Sequence, residues 1–118
     1  MTASLEDYLK AICFLHQNDK SVRLIDIAEW RMSVSKPSAF IAVSQLLDLG
    51  LIEHEKFGPI LLTAYGIEAA KSLVLKYETI KLFLMRILNV GEALANREAC
   101  AIEHEICDVT VAKMALLI

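Results

Sequence analysis

The run Glu98-Ala99-Cys100-Ala101-Ile102-Glu103-His104 places a thiol, a carboxylate and an imidazole close together. On an α-helix, residues three and four apart project to one side, because each step turns the backbone by about 100°. Cys100, Glu103 and His104 would then present sulfur, oxygen and nitrogen donors on one face. Such a mixed set suits a borderline first-row divalent ion better than magnesium or calcium. The same residues read as a Cys100/His104 nucleophilic pair would need an orienting group, an oxyanion site and a substrate cleft. No pattern in the chain supplies these, so enzymatic function and a small organic substrate are not expected.

The elements that must position this set are mostly helices. Ser4 can cap a first helix with Leu5, Leu9, Ile12 and Leu15 on its apolar face and Tyr8 beside it. After a polar turn at 17–21, a short helix covers about Leu24 to Arg31, with Ile25, Ile27, Ala28 and Trp30 as candidate core. A tight link at 32–34 leads to Ser35, a good N-cap, and Pro37, which is tolerated in a first turn. That third helix buries Ala39, Ala42, Val43, Leu46 and Leu47 and stops at Gly50. Two short extended segments, about Leu51 to Glu55 and Ile60 to Leu62, flank a turn at Lys56-Phe57-Gly58-Pro59.

Thr63 caps a long helix reaching about Leu88. Its main stripe is Ile67, Ala70, Val74, Tyr77, Leu84 and Ile87, with Ile80 at the skipped turn. Leu75, Leu82 and Met85 form a second apolar line, so the helix is expected to be covered on two sides. Asn89-Val90-Gly91 breaks it, a further helix carries the Cys/Glu/His set, and Asp108 can cap a last one. Helix, helix, short turn, helix and a two-strand hairpin is the winged helix-turn-helix order, with Ser35 to Leu49 as recognition helix and the 56–59 turn as wing tip. The alternative is a small helical bundle with an incidental hairpin. The expected fold class is mainly α: a winged helix-turn-helix domain followed by a helical domain.

Bulk properties narrow the options. The chain has 118 residues, 56% of them hydrophobic, which is ample for one core and suggests burial against another chain. Charges such as Lys76, Glu78, Lys81 and Arg86 keep the richest stretch well short of the roughly 18 apolar residues of a membrane span. The N-terminus lacks a basic start and apolar block, so no signal peptide is expected. Three cysteines, an odd number, argue against a disulfide framework and for a reduced, cytoplasmic setting. Net charge is −3, and up to Thr63 six basic residues face eight acidic ones. Nucleic-acid binding must therefore rest on local placement of positive charge.

Taken in order, Ser4-Leu5-Glu6-Asp7-Tyr8-Leu9, Asp26-Ile27-Ala28, Val34-Ser35-Lys36-Pro37-Ser38, Gly50-Leu51-Ile52, Leu62-Thr63 and the run from Glu98 to His104 resemble the diphtheria-toxin-repressor family, which includes the manganese transport regulators. The resemblance covers essentially the whole chain. It implies a DNA-binding domain over 1–63 and a helical metal-binding and dimerisation domain over 64–118. It also implies a homodimer on double-stranded operator DNA, repressing metal-homeostasis genes in response to Fe²⁺ or Mn²⁺. A third, SH3-like domain, present in some members, is not expected at this length.

By that resemblance Asp7, Cys100, Glu103 and His104 match metal ligands. Two positions depart from it. Lys10 stands where the manganese branch has a glutamate, and Tyr77 stands where the family has a histidine, with Lys81 replacing an acidic residue one turn on. An ammonium near Asp7 and Glu103 repels a divalent cation and can itself neutralise carboxylates. Four ligands still suffice for one ion, Mn²⁺, Fe²⁺ or tetrahedral Zn²⁺, whereas a two-ion site is not expected. The alternative is a charge-paired site with Lys10 in the metal's place. Expected DNA contacts are Ser35, Lys36, Pro37 and Ser38 at the start of the recognition helix, with Arg23 and Lys56 on flanking backbone.

Phe40 and Ile41 stand where relatives have polar or basic residues. Ile41, if exposed, can touch a thymine methyl but cannot read a donor/acceptor pattern; otherwise both cover apolar surface. Cys107 continues the Cys100 face as a lesser ligand candidate, and Cys13 reads as core. A regulator of this descent that no longer senses metal, and a dimeric interaction protein, remain the alternatives.

Overall fold

The computed structural model describes residues 1–17, 21–30, 34–55 and 58–118. Its elements are α1 (Ala3–Gln17), α2 (Leu24–Trp30), α3 (Lys36–Asp48), β1 (Ile52–His54), β2 (Ile60–Leu62), α4 (Ala64–Arg86), α5 (Glu92–Ile102) and α6 (Asp108–Leu117). The chain divides into two compact units, Met1–Lys71 and Ser72–Ile118.

In the first unit, α1, α2 and α3 pack on one another, and the hairpin closes against α3 and α1. Leu9, Ile12, Ile27, Leu46, Leu51, Ile52 and Ile60 are fully buried there. β1 and β2 are antiparallel, with Ile52 opposite Leu62 and His54 opposite Ile60. Val22, ahead of α2, bridges to Ile60, whose N–H donates to the Val22 carbonyl at 2.7 Å. Three helices with this hairpin form a winged helix-turn-helix.

Local chemistry sets the boundaries. Ser35 is extended (φ −76°, ψ 159°) and its hydroxyl accepts from Ser38 N–H, the ordinary N-cap arrangement, with Pro37 in the first turn. Gly50 takes φ 75°, the left-handed geometry that ends a helix most cheaply at glycine. Thr63 Oγ1 donates to the Gly50 carbonyl at 2.7 Å and accepts from Gly66 N–H at 3.0 Å, so one hydroxyl caps α4 and ties it to the end of α3.

Several sequence expectations shift. Thr2, not Ser4, caps α1: its Oγ1 accepts from Leu5 N–H at 3.2 Å, three residues on, as N-cap geometry requires. Cys107, not Asp108, is the extended N-cap of α6; Asp108 is its first residue, where a carboxylate still favours the helix N-terminus. Ile25 and Trp30 are exposed, because α2 has only two turns and buries Ile27 and Ala28. Trp30 packs instead on Phe14, ring centroids 4.6 Å apart. Leu47 is also exposed. Residues 18–20 of the expected polar turn, Arg31 at the expected end of the second helix, Met32 and Ser33 of the expected link, and Lys56 and Phe57 of the expected wing tip lie outside the described residues.

In the second unit the core is Ile80, Leu84, Ala95, Ala99 and Val111, joined by Tyr77, Met85, Val90, Ile102, Ile106 and Met114. The buried line of α4 runs Ala70, Leu73, Ile80, Leu84, while Ile67 and Ile87 are exposed. The expected stripe drifted by one residue near Val74 because α4 is apolar on more than one side. Leu75 and Leu82, of the second apolar line, are exposed. Asn89 at φ 57° breaks the chain out of α4.

Candidate functional site

Helical spacing decides where the donors of the second unit point. Ala95 and Ala99 are fully buried on one line of α5, and Glu103, four residues after Ala99, continues it. Its N–H still donates to the Ala99 carbonyl at 3.1 Å, so the carboxylate is carried inward at the helix end. Glu103 is 1% exposed, the single buried charged residue among those described. His104 follows in the exit turn, half-buried, with Nε2 3.5 Å from Glu103 Oε1. Cys100, one residue past Ala99 and hence about 100° around the helix, is exposed on the flank of α5. The helix ends at Ile102, so Cys100 is helical while Glu103 and His104 belong to the turn.

The departures found in α4 have partners. Tyr77 OH hydrogen-bonds Asn96 Oδ1 on α5. Lys81 Nζ lies 3.6 Å from Glu92 Oε1 at the start of α5. Lys76 Nζ donates to the Ile106 carbonyl at 2.9 Å and pairs with Asp108 Oδ1 at 3.2 Å. Asn96 and Glu92 were not singled out from sequence, and Asp108 only as a helix cap. Asn96 lies one turn before Cys100, yet only the chain reversal after Asn89 brings it to α4. Cys107, exposed, has its thiol lowered below the ordinary range by the Thr110 hydroxyl at 3.3 Å, with backbone groups of the α6 N-terminus adding to it. Cys13 is buried, which raises its thiol against the opposing influence of the Lys71 ammonium.

In the first unit Asp7 sits half-buried on α1, with Oδ1 3.9 Å from Lys10 Nζ one turn on. Ser35, Lys36, Pro37 and Ser38 are all exposed at the start of α3. Ser35 Oγ and Ser38 Oγ lie 3.1 Å apart. Arg23 is exposed, its backbone N–H held by Asp26 Oδ2 at 2.8 Å, which opens α2. Lys56 lies outside the described residues. Phe40 and Ile41, each 58% exposed, do not cover apolar surface.

A buried carboxylate beside an imidazole nitrogen, with a thiol one turn earlier, fits the donor chemistry of a first-row divalent ion. Carboxylates taken from water are ordinarily matched by a cation or strong donors, which such an ion provides.

Comparison with known proteins bears on both units. Residues 1–58 match the family model described as iron dependent repressor, N-terminal DNA binding domain. Residues 63–118 match the one described as iron dependent repressor, metal binding and dimerisation domain. An uncharacterized HTH-type transcriptional regulator of Methanocaldococcus jannaschii is 35% identical over 98% of this chain and 93% of its own length. The solved structure of the manganese regulator SloR is 38% identical, with a TM-score of 0.85 over 99% of this chain. A manganese-dependent transcriptional repressor solved in complex with manganese is 28% identical, with a TM-score of 0.84 over 96% of this chain. The chain spans 54% of the first of these two solved chains and 51% of the second.

Proposed function

The chain belongs to the iron-dependent repressor family of metal-dependent transcriptional regulators, which are not enzymes, and from that premise we propose that it is a cytoplasmic repressor that binds operator DNA as a homodimer when loaded with one divalent first-row ion. The observation that carries the metal reading is the buried Glu103 carboxylate with His104 Nε2 3.5 Å away. Glu103 and His104 are the core of the proposed ligand set, with Cys100 and Asp7 completing it. The ion supplies a fixed double positive charge that offsets the burial of Glu103. Manganese is the first candidate, by analogy with SloR, and Fe²⁺ and Zn²⁺ are the others. One ion, rather than two, is supported by α4: Tyr77 is bonded to Asn96, and Lys76 and Lys81 place ammonium groups on that helix.

Residues 1–63 carry the proposed DNA contacts and the ligand Asp7, and 64–118 the other proposed ligands and the contacts to a partner subunit. Arg23, Ser35, Lys36, Pro37, Ser38 and Lys56 are the proposed phosphate and base contacts. Exposed Leu75, Leu82, Leu94, Leu116 and Leu117 support pairing with a second copy, since apolar surface on this scale is costly in water. Among the described residues no helix is long and apolar enough to cross a membrane.

Thermal melts with Mn²⁺, Fe²⁺ or Zn²⁺ test the metal reading. Stabilisation that disappears in His104→Ala and Cys100→Ala is expected; no shift at millimolar metal removes it. One observation favours a second reading, a regulator of the same descent that no longer responds to metal. Lys10 already stands 3.9 Å from Asp7, as a cation in place of an ion would.

A further inference from the structure

We infer that α3 reads thymine by its C5-methyl group, through Phe40 and Ile41. The inference rests on the DNA-binding reading above and adds to it a rule of sequence recognition.

The buried side of α3 is made of Ala39, Ala42, Val43 and Leu46. Helical spacing places Pro37 and Ile41 on one outward line and Lys36 and Phe40 on the adjacent one. Phe40 and Ile41 are each 58% exposed. An exposed aromatic beside an exposed β-branched residue, on the helix that a winged helix-turn-helix presents to DNA, calls for an apolar counterpart. The major groove offers one, the thymine methyl, since the other base-edge groups there are hydrogen-bond donors or acceptors. Neither side chain can donate or accept, so the pair recognises by contact and by excluding water.

The surroundings favour DNA over a protein ligand. The first turn of α3 has no acidic residue and carries Lys36 with the Ser35 and Ser38 hydroxyls. Ile41 and Ser38 border an open recess shared with Thr2 and Ser4. An apolar strip preceded by a cation and hydroxyls matches a groove floor of bases edged by phosphates. A second copy of this chain or a hydrophobic peptide would leave that polar edge without a role.

The test begins with selection of duplexes from a random library by the Mn²⁺-loaded full chain, with a metal-free selection alongside. The enriched duplex is then made in two forms, with thymine or with uracil, which differ by the methyl groups alone. Wild type is expected to prefer the thymine form by about fourfold for each contacted methyl. The double variant Phe40→Ala/Ile41→Ala is expected to bind the two forms equally. Both side chains are exposed, so it should melt as wild type does, a point checked by circular dichroism. Lys36→Ala should weaken binding to both forms and leave their ratio intact. Equal binding of the two forms by wild type overturns methyl readout while leaving DNA binding in place. Failure to enrich any duplex, with or without metal, overturns the DNA reading and this inference with it.

Discussion

The Tyr77 hydroxyl donates to Asn96 Oδ1, and one turn along the same seam Lys81 pairs with Glu92 at 3.6 Å. The two links run in antiparallel register: four residues forward on α4 correspond to four residues back on α5. Lys76 extends the polar contacts of α4 to Ile106 and Asp108. Ala95 and Ala99, fully buried, share the unit's core with Ile80 and Leu84 of α4. Within this unit α4 is therefore fastened to α5 by side chains, and that fastening needs no ion.

Tyr77→Phe separates fastening from metal binding. It removes one partly exposed hydrogen bond while keeping the ring against the unit's core, so a loss of about 1 kcal/mol in metal-free stability is expected. Metal affinity, measured by titration of the folded protein, is expected to stay at the wild-type value. A drop comparable to that of His104→Ala would make Tyr77 a ligand and sink the metal-free role.

Glu103→Gln tests the buried carboxylate. The substitution keeps the shape and removes the negative charge, so the metal-free protein should melt within about 1 kcal/mol of wild type, because a neutral amide is easier to bury than a carboxylate. The gain on adding metal, about 2.7 kcal/mol for wild type at a hundredfold excess over Kd, should fall close to zero. Differential scanning calorimetry with and without Mn²⁺ reads both quantities. A retained metal gain would exclude Glu103 from the ligand set.

Gly66 is sterically required. A Cβ there would lie 1.9 Å from the Leu51 carbonyl oxygen, which also accepts from Thr63 N–H at 3.1 Å. Backbone meets backbone, so no rotamer change relieves the clash. Gly66→Ala is expected to cost about 3 kcal/mol, and Thr63→Ala about 1 kcal/mol through the lost cap. Urea midpoints should rank the variants in that order. A Gly66→Ala midpoint equal to wild type would mean that the first turn of α4 is not held against Leu51.

The two assigned thiols should react in opposite ways. Cys107 is exposed and its thiol is lowered by the Thr110 hydroxyl, so it ionises earlier as pH rises. Cys13 is buried and raised. Alkylation follows thiolate and access, so Cys107 should react fast with a rate midpoint below that of an ordinary free thiol, and Cys13 only on unfolding. Thr110→Val should move the Cys107 midpoint upward. Mass-spectrometric mapping across pH reports this; equal rates at both sites would count against it.

What could be read from the chain was what local rules govern. Ser35, Gly50 and Thr63 announce helix ends because caps and left-handed turns restrict residue types over two or three positions. The hairpin followed from Gly58 and Pro59 between apolar segments. Glu103 and His104 were legible as a pair because they are neighbours on one turn. Ile25, Trp30 and Leu47 were misplaced because a short helix with apolar residues on several sides has no unique inner face until its neighbours are known. Asn96 could not be matched to Tyr77, nineteen positions earlier, without the path of the turn between α4 and α5.

Lys10 bears on whether Asp7 can serve as a metal ligand. Its ammonium lies 3.9 Å from Asp7 Oδ1, and both side chains are half-buried, so screening by water is incomplete. A divalent ion using Asp7 as a ligand must compete with that ammonium for the same carboxylate. At an effective dielectric near 20 the bare attraction at such a distance is about 4 kcal/mol, and partial exposure reduces it to about a third. Removing the charge should then recover about 1.4 kcal/mol, a tenfold gain in affinity. Lys10→Gln removes the charge and keeps an unbranched polar side chain one atom shorter, and competition titration with a coloured chelator reads the change. The double variant Lys10→Gln/Asp7→Asn should lose the gain, because the ammonium acts through Asp7. An affinity that is unchanged in Lys10→Gln would take Asp7 out of the site and leave Cys100, Glu103 and His104 to hold the ion by themselves.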